Sequence, residues 1–384
     1  MNHQEKIPKA PVREFVALRL IPRLGAQRIR LLLQHVDHPQ DIFRLDREQL
    51  QSIYGIGPKT AEDIVSFDDW SRVDDILTKT ERVGAQLMTY WDDEYPPLLR
   101  EIYDPPILLW INGNRKALRT NSIAIVGTRR AGQYGKEAAQ HFARELTKER
   151  LTVISGLAYG IDGAAHRATV DAGGCTVAVL GSGIDNIYPA KHKKLAADIV
   201  DSGGAVVSEF PLGTPPDAGN FPVRNRIVSG MSLGTLVAAS GIDGGSMITA
   251  KLALDQNREV FVVPHPIGTP NSIGCNSLIQ RGMGKLVQSA ADILEEVEVH
   301  IDRRRTGEHG NEEKEAGKQS TTWKSLDLDE LSIRICKALE EDAIHIDHLA
   351  EQMEMKTHQL MPKLLELEME GCIRQTAGKN FELI

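Results

Sequence analysis

Cysteine is scarce in this 384-residue chain, aromatic residues make up only 5% of it, and cations are outnumbered by carboxylates. Each shortage excludes something. The four cysteines, Cys175, Cys275, Cys336 and Cys372, lie far apart, so the CxxC spacing of a zinc or dithiol site is missing. Reduced, buried thiols of a cytoplasmic protein are the expected reading. No apolar run reaches the roughly 18 residues that would span a membrane as a helix. The opening residues, MNHQEKIPKAPVREF, carry charge but no apolar core of a secretory signal. With 45 Lys and Arg against 53 Asp and Glu, the net charge is −8. That excludes a nucleic-acid binder coated in positive charge. It leaves room for a local basic groove, because phosphate affinity depends on where the cations cluster. What is present is a globular composition, 41% apolar, long enough for two or three domains.

The pattern changes along the chain. Residues 1–70 contain LIPRLGAQRIRLLLQHV and, 32 positions later, LQSIYGIGPKTAEDIVSF, which align Gly25 on Gly57. Each copy reads as helix, glycine turn, helix; Gly55 and Gly57 permit unusual φ, and Pro58 suits a first helical turn. The repeat resembles tandem helix–hairpin–helix DNA-binding modules, whose helix-start amides receive phosphate. A helical domain that only packs is the alternative, and the carboxylates Asp63, Asp68 and Asp69 close behind Lys59 weigh towards it. Residues 71–115 read as a connector, because WDDEYPPLLREIYDPPILLWING holds two Pro-Pro pairs.

Over residues 116–299 apolar runs alternate with helical stretches. SIAIVG, LTVISG, CTVAVLGSG, GAVVSE, LGTLVAAS, REVFVVP and GKLVQS predict strands buried on both faces. The alternation predicts a parallel, doubly wound α/β sheet whose glycine turns gather at the carboxyl edge, where such sheets bind ligands. Residues 300–324, polar and charged, read as a flexible linker. Residues 325–384 return to helical period and end in a hairpin pattern, which predicts a winged-helix-like domain. Its Glu366, Glu368 and Glu370 outnumber Lys363, so a protein contact or packing is favoured over groove reading.

The stretch SIAIVGTRRAGQYGKEAA begins with the first of these strands and runs on into a glycine loop and a helical pattern. Its glycines, Gly127, Gly132 and Gly135, fit neither GxGxxG nor GxxxxGK[ST]. With no acid placed to hold a ribose, dinucleotide binding is disfavoured and no cofactor is expected. A phosphate site remains: amides near Gly127 and Gly156 can point outward from strand ends, and Arg129, beside Arg130, adds a guanidinium fork. Lys191, Lys193 and Lys194 follow the third strand; Arg224, Asn225 and Arg226 follow the fourth. GIDGGSMITA puts Gly245 and Ser246 at a further helix start. Several cations along one edge suit a polynucleotide better than one small ligand, although Lys193 and Lys194 read equally well as solvated surface. Ser155, Asp162 and His166 lie close in sequence, but no GxSxG elbow surrounds Ser155. A nucleophilic triad is therefore disfavoured, and Asp162 is expected to cap a helix. No metal-ligand cluster is spaced in the sequence.

IVGTRRAGQYG, VISGLAYGIDGAAHRA, VAVLGSGIDNIYP, SEFPLGTPP, NFPVRNRIVSGMS, GGSMITAKLAL and NSIGCNSLIQRGM occur in this order. Together they resemble the DNA-processing protein A (DprA, also called Smf) family. The resemblance implies an extended Rossmann-like domain that binds single-stranded DNA without catalysis, flanked by the helical and winged-helix-like segments. It implies protection of incoming strands in natural transformation, loading of a RecA-type recombinase against single-strand-binding protein, and a homodimer. The family's DNA-contacting arginine falls on Arg129, and its Arg-Asn-Arg element on Arg224, Asn225 and Arg226. The chain departs from the family at Ala190, where a lysine is common and Lys191 comes one place later, at Ala239-Ser240, and at Pro264-His265. A nucleotide-processing enzyme on the same fold and a protein-interaction scaffold are the rival readings.

Overall fold

Alternation along single strands fixes the architecture. The structure, a computed structural model, describes residues 12–269, 273–305, 328–339, 344–353, 355–369, 372–376 and 380–383. They form two compact units that divide at His300.

The first unit opens with helices α1 (Val12–Leu20), α2 (Ala26–Leu33), α3 (Arg47–Ser52), α4 (Pro58–Val65) and α5 (Trp70–Arg82). Gly25 and Gly57 precede α2 and α4 in the two hairpins, and Pro58 opens α4. Of the second hairpin's glycines only Gly55, at φ +86°, uses backbone space that side chains avoid; Gly57 is ordinary extended chain. Lys59 is exposed, while Arg23 lies 2.5 Å from Asp63 and Arg47 is paired with Glu62, so acid neutralises much of the hairpins' charge.

The sheet follows. Its strands are β1 (Gln86–Thr89), β2 (Leu108–Gly113), β3 (Ser122–Gly127), β4 (Thr152–Ser155), β5 (Thr176–Leu180), β6 (Ala205–Ser208), β7 (Gly234–Ala239), β8 (Glu259–Val262) and β9 (Lys285–Leu286). They lie in the order β1-β2-β6-β5-β4-β3-β7-β8-β9. The seven expected strands are β3 to β9, all mutually parallel. The stretch 71–115 is more than a connector: β1 and β2 extend the sheet antiparallel beyond β6. The Pro-Pro pairs flank these strands instead of interrupting them. Between the strands run α6 (Pro97–Arg100), α7 (Gln133–Lys148), α8 (Ile161–Asp171), α9 (Lys193–Asp201), α10 (Asn220–Gly230), α11 (Gly245–Asp255), α12 (Ile273–Gln280) and, last, α13 (Ala290–Arg305).

The sheet is covered on both faces. In β2, Leu108 and Trp110 face one core while Leu109 and Ile111 face another; β5 divides likewise into Ala178 and Leu180 against Val177 and Val179. Helices α10, α11 and α12 fill the second core, whereas the N-terminal helices and α9 fill the first. The N-terminal helices therefore share a core with the sheet, and Trp110 Nε1 donates to Thr80 Oγ1 of α5 at 3.2 Å. Two-sided burial is why the strands read as continuous apolar runs.

The second unit comprises α14 (Glu330–Ala338), β10 (Ile344–His345), α15 (Ile346–Gln352), α16 (Thr357–Met369), β11 (Ile373–Thr376) and β12 (Asn380–Leu383), with the three strands paired β10-β12-β11. Ile335, Leu349, Leu364 and Phe381 form its own core, a winged-helix arrangement. Lys363 is bound to Asp329 and Glu366, each at 2.7 Å, which removes one of the few cations from the α16 surface. That pairing and the Ser332 amide hold the Asp329 carboxyl down at about 2. Of the linker expected over 300–324, residues 300–305 belong to the end of α13, and 306–324 lie outside the described residues. No helix among the described residues is long and apolar enough to cross a membrane.

Candidate nucleic-acid interface

From β3 the chain winds outward through β4, β5 and β6, then returns to lay β7 against the other side of β3. The turns after β3 and β7 diverge there, opening a crevice at the carboxyl edge. A cavity of about 500 Å³ occupies it. Eight of the twelve residues singled out from the sequence line it. Gly127 ends β3, Arg129 and Arg130 come from the turn after it, and Gly156 from the turn after β4. Arg224 and Asn225 come from α10, and Gly245 and Ser246 from the start of α11.

Close approach explains the glycines. A Cβ on Gly127 would stand 2.3 Å from Ile161 and 2.8 Å from the Ala239 carbonyl oxygen. One on Gly156 would stand 2.0 Å from Arg224 Nη1, so the guanidinium lies directly on the glycine backbone. Gly160, at φ +80°, lets the turn after β4 pass over Thr128, whose carbonyl oxygen would be 2.3 Å from a Cβ there.

Arg224 is 4% exposed. Its Nη1 donates to the Val179 carbonyl oxygen, while Nε has no protein partner. Burial, and then repulsion from Arg129, pull its pKa down to about 10 against the attraction of Asp162. Asp162 is buried too. Desolvation raises its pKa, opposed by Arg224, by the amides of Ala158 and Gly156, and by Arg129. It does not cap α8, whose N-cap is Gly160; it sits inside the first turn and accepts from Gly156 N at 3.2 Å and Ala158 N at 3.3 Å. That braces the turn under the arginine. Arg129 is exposed, and its guanidinium carbon stands 4.7 Å over the Phe221 ring. The net result is two mutually repelling guanidinium groups facing one cavity, an arrangement that an entering anion relieves.

Not every expected residue reaches the cavity. Arg226 is two residues beyond Arg224 on α10, about 200° round the helix. Its Nη2 donates to both Glu209 oxygens at 2.8 Å, and its Nε lies 3.3 Å from Asp104. A buried ion pair holds it away from the cavity. Lys191, in a short 3₁₀ turn (Ala190–His192), and Lys193 and Lys194, at the start of α9, are exposed and do not line the cavity. Ser246 lines the wall, but its hydroxyl donates to Ser240 Oγ at 2.7 Å.

Ser155, Asp162 and His166 form no relay. Ser155 Oγ donates to the Ile125 carbonyl oxygen at 2.6 Å. Thr176 Oγ1 donates to the Val153 carbonyl oxygen, so its oxygen accepts from His166 Nδ1 at 2.7 Å. Burial pushes His166 down to about 3.

Phe221 was missed in the sequence. The signal was there: Phe221, Arg224, Asn225 and Val228 all line the cavity and follow an i, i+3, i+4, i+7 pattern. Helix α10 starts at Asn220 and carries Pro222 in its first turn, where proline is tolerated, so Phe221 already lies on the helix that presents Arg224.

A family model described as DNA recombination-mediator protein A matches residues 86–298, more than half the chain. A DprA winged helix domain matches residues 320–379, and a SAM-like helix-hairpin-helix tandem residues 15–67. Protein Smf of Escherichia coli K12 is 36% identical over 327 residues, 84% of either chain. DNA processing protein DprA of Streptococcus pneumoniae R6 is 39% identical over 234 residues, 61% of this chain and 82% of that protein. The X-ray structure of DprA from Streptococcus pneumoniae superposes with a TM-score of 0.65 at 33% identity, covering 75% of this chain and 98% of that one. A Helicobacter pylori DNA processing protein A structure, described for its single-stranded DNA binding mode, gives 0.50 at 29%, covering 55% and 95%. By the extent of these matches the chain belongs to the DNA recombination-mediator protein A family, the DprA or Smf proteins.

Proposed function

We propose that the switch-point cavity holds the phosphates and bases of single-stranded DNA, and that the protein acts by binding, without catalysis. The observation that carries this is the pair of repelling arginines, Arg129 and Arg224, over a glycine floor with Phe221 beside them. Guanidinium forks suit phosphate oxygens, glycine admits a backbone closely, and an aromatic face accepts any base. The single-stranded DNA binding described for the Helicobacter pylori relative supports the same reading. On the family resemblance we extend it to a cytoplasmic homodimer that protects incoming strands during transformation. It loads a RecA-type recombinase onto them in competition with single-strand-binding protein.

The test is fluorescence anisotropy of a labelled oligothymidine over a salt series, with a duplex of equal length and the Arg129→Ala variant alongside. The strand is expected to bind more tightly than the duplex, and the affinity to fall steeply with salt, about −0.7 in log–log slope for each phosphate neutralised. Arg129→Ala is expected to lose about 1–3 kcal/mol uniformly across sequences and to flatten the slope. Equal binding of strand and duplex, or none, would sink the proposal and favour a nucleotide-processing enzyme, for which mononucleotide turnover would be assayed. Protein partners retained after nuclease treatment and without Arg129 would favour the scaffold reading.

A further inference from the structure

Two half-exposed tyrosines continue the carboxyl edge beyond the cavity, and neither the fold nor the cavity accounts for them. Tyr159, 41% exposed, follows the cavity-lining Ala158 on the turn after β4. Its ring meets that of His192 edge-on, with centroids 5.3 Å apart. His192 is fixed from beneath. Its Nδ1 donates to the Leu157 carbonyl oxygen at 2.8 Å, and a Cβ on Gly163 would come within 2.7 Å of its ring. Tyr188, 42% exposed, stands on the turn after β5. Its ring leans on Phe221, centroids 5.9 Å apart at 45°. Phe221 in turn carries Arg129 and rests on Gly181, where a Cβ would lie 2.9 Å from the ring.

Each exposed ring is thus backed by a second ring that is seated on glycine. That makes a rigid aromatic face turned to water, in a chain where aromatics are scarce. β4 and β5 are neighbouring parallel strands, so both tyrosines lie on the side of the cavity away from β7. Exposed Lys191 adjoins His192 there.

We infer that Tyr188 and Tyr159 form a stacking track for the bases of a strand leaving the cavity over β5 and β4, with Lys191 serving its phosphates. The inference rests on the cavity holding single-stranded DNA. Stacking is indifferent to base identity, so the track lengthens the site without adding sequence preference.

The experiment measures Kd for a short and a long oligothymidine, about three and about ten nucleotides. It compares the intact protein, Tyr159→Ala/Tyr188→Ala, Tyr159→Phe/Tyr188→Phe and Arg129→Ala. The alanine pair is expected to leave the short strand unchanged and to weaken the long one, about 5- to 150-fold for each ring lost. The phenylalanine pair is expected to bind as the intact protein does. A long strand with abasic sites in place of its flanking bases should lose the same affinity on the intact protein and little on the alanine pair. If the alanine pair binds both lengths like the intact protein while Arg129→Ala fails, the track is overturned and the cavity stands. If the intact protein binds no strand, both fall together.

Discussion

Gly156 and Arg224 show how closely single residues are matched at the cavity floor. A methyl at 156 would displace the guanidinium, which is already committed to the Val179 carbonyl oxygen and drawn by Asp162. Gly156→Ala is therefore expected to weaken strand binding about as much as Arg224→Ala, roughly 1–3 kcal/mol, and to cost about 1–3 kcal/mol of stability through overpacking. Gly132→Ala is the control, because a Cβ there meets nothing within 4 Å. Anisotropy and urea titration on the same samples would separate the two effects. His166 yields a pH prediction. Its folded pKa, about 3, lies below the ordinary 6.5. Between those values the unfolded chain takes up a proton that the folded chain refuses. The stability this contributes is complete above about pH 6.5 and is lost as pH falls towards 3, by up to about 1.4 kcal/mol per pH unit. Urea midpoints measured from pH 7 to 4 should fall more steeply for the intact protein than for His166→Gln; equal slopes would contradict the assignment.

Helix α10 divides two tasks between its faces. Phe221, Arg224 and Asn225 face the cavity, while Arg226 faces Glu209 and Asp104. Glu209 also lies 3.6 Å from Arg19 of α1, so one buried carboxylate ties an N-terminal helix to the helix that presents the cavity's arginine. Removing one partner of such a pair costs about 3–5 kcal/mol, because the other charge stays buried. Arg226→Met is expected to cost stability on that order in urea unfolding, and adding Glu209→Gln should recover part of it. Below the unfolding transition, Arg226→Met should leave the salt slope of strand binding unchanged, whereas Arg129→Ala flattens it. A flattened slope in Arg226→Met would restore Arg226 as a phosphate contact. The Arg-Asn-Arg element was legible as important, but a list of residues does not carry helical phase. Phase alone separates Arg224 from Arg226.

At the scale of the whole molecule, each unit has its own core: the described core residues of the second run from Ile335 to Phe381 and include none from the nine-stranded sheet. A chain ending at residue 305 is expected to unfold in one transition and to retain strand affinity, since every residue lining the cavity precedes that point. Calorimetry and anisotropy check it; a loss of affinity beyond about tenfold would bring the winged-helix unit into the interface. The N-terminal helices are different. They share a core with β2, β5 and β6, so truncating them should unfold the sheet's edge instead of releasing a free module.

The sequence by itself determined the parallel strands and their order along the chain, because burial on both faces leaves an apolar run that needs no partner to be seen. It determined the glycines and the cations of the edge by type. It did not determine that β2 pairs with β6 and β1 with β2: strand pairing joins residues such as Trp110 and Ser208, which lie far apart in the chain, and local composition is silent about it. Nor did it decide which cations meet. Arg129 and Arg224 converge because two turns and one helix end at the same crevice. Arg226 and the lysines near 191 do not, because helical rotation and strand spacing carry them away from it. Side-chain chemistry was local and readable; convergence is a property of the tertiary structure alone.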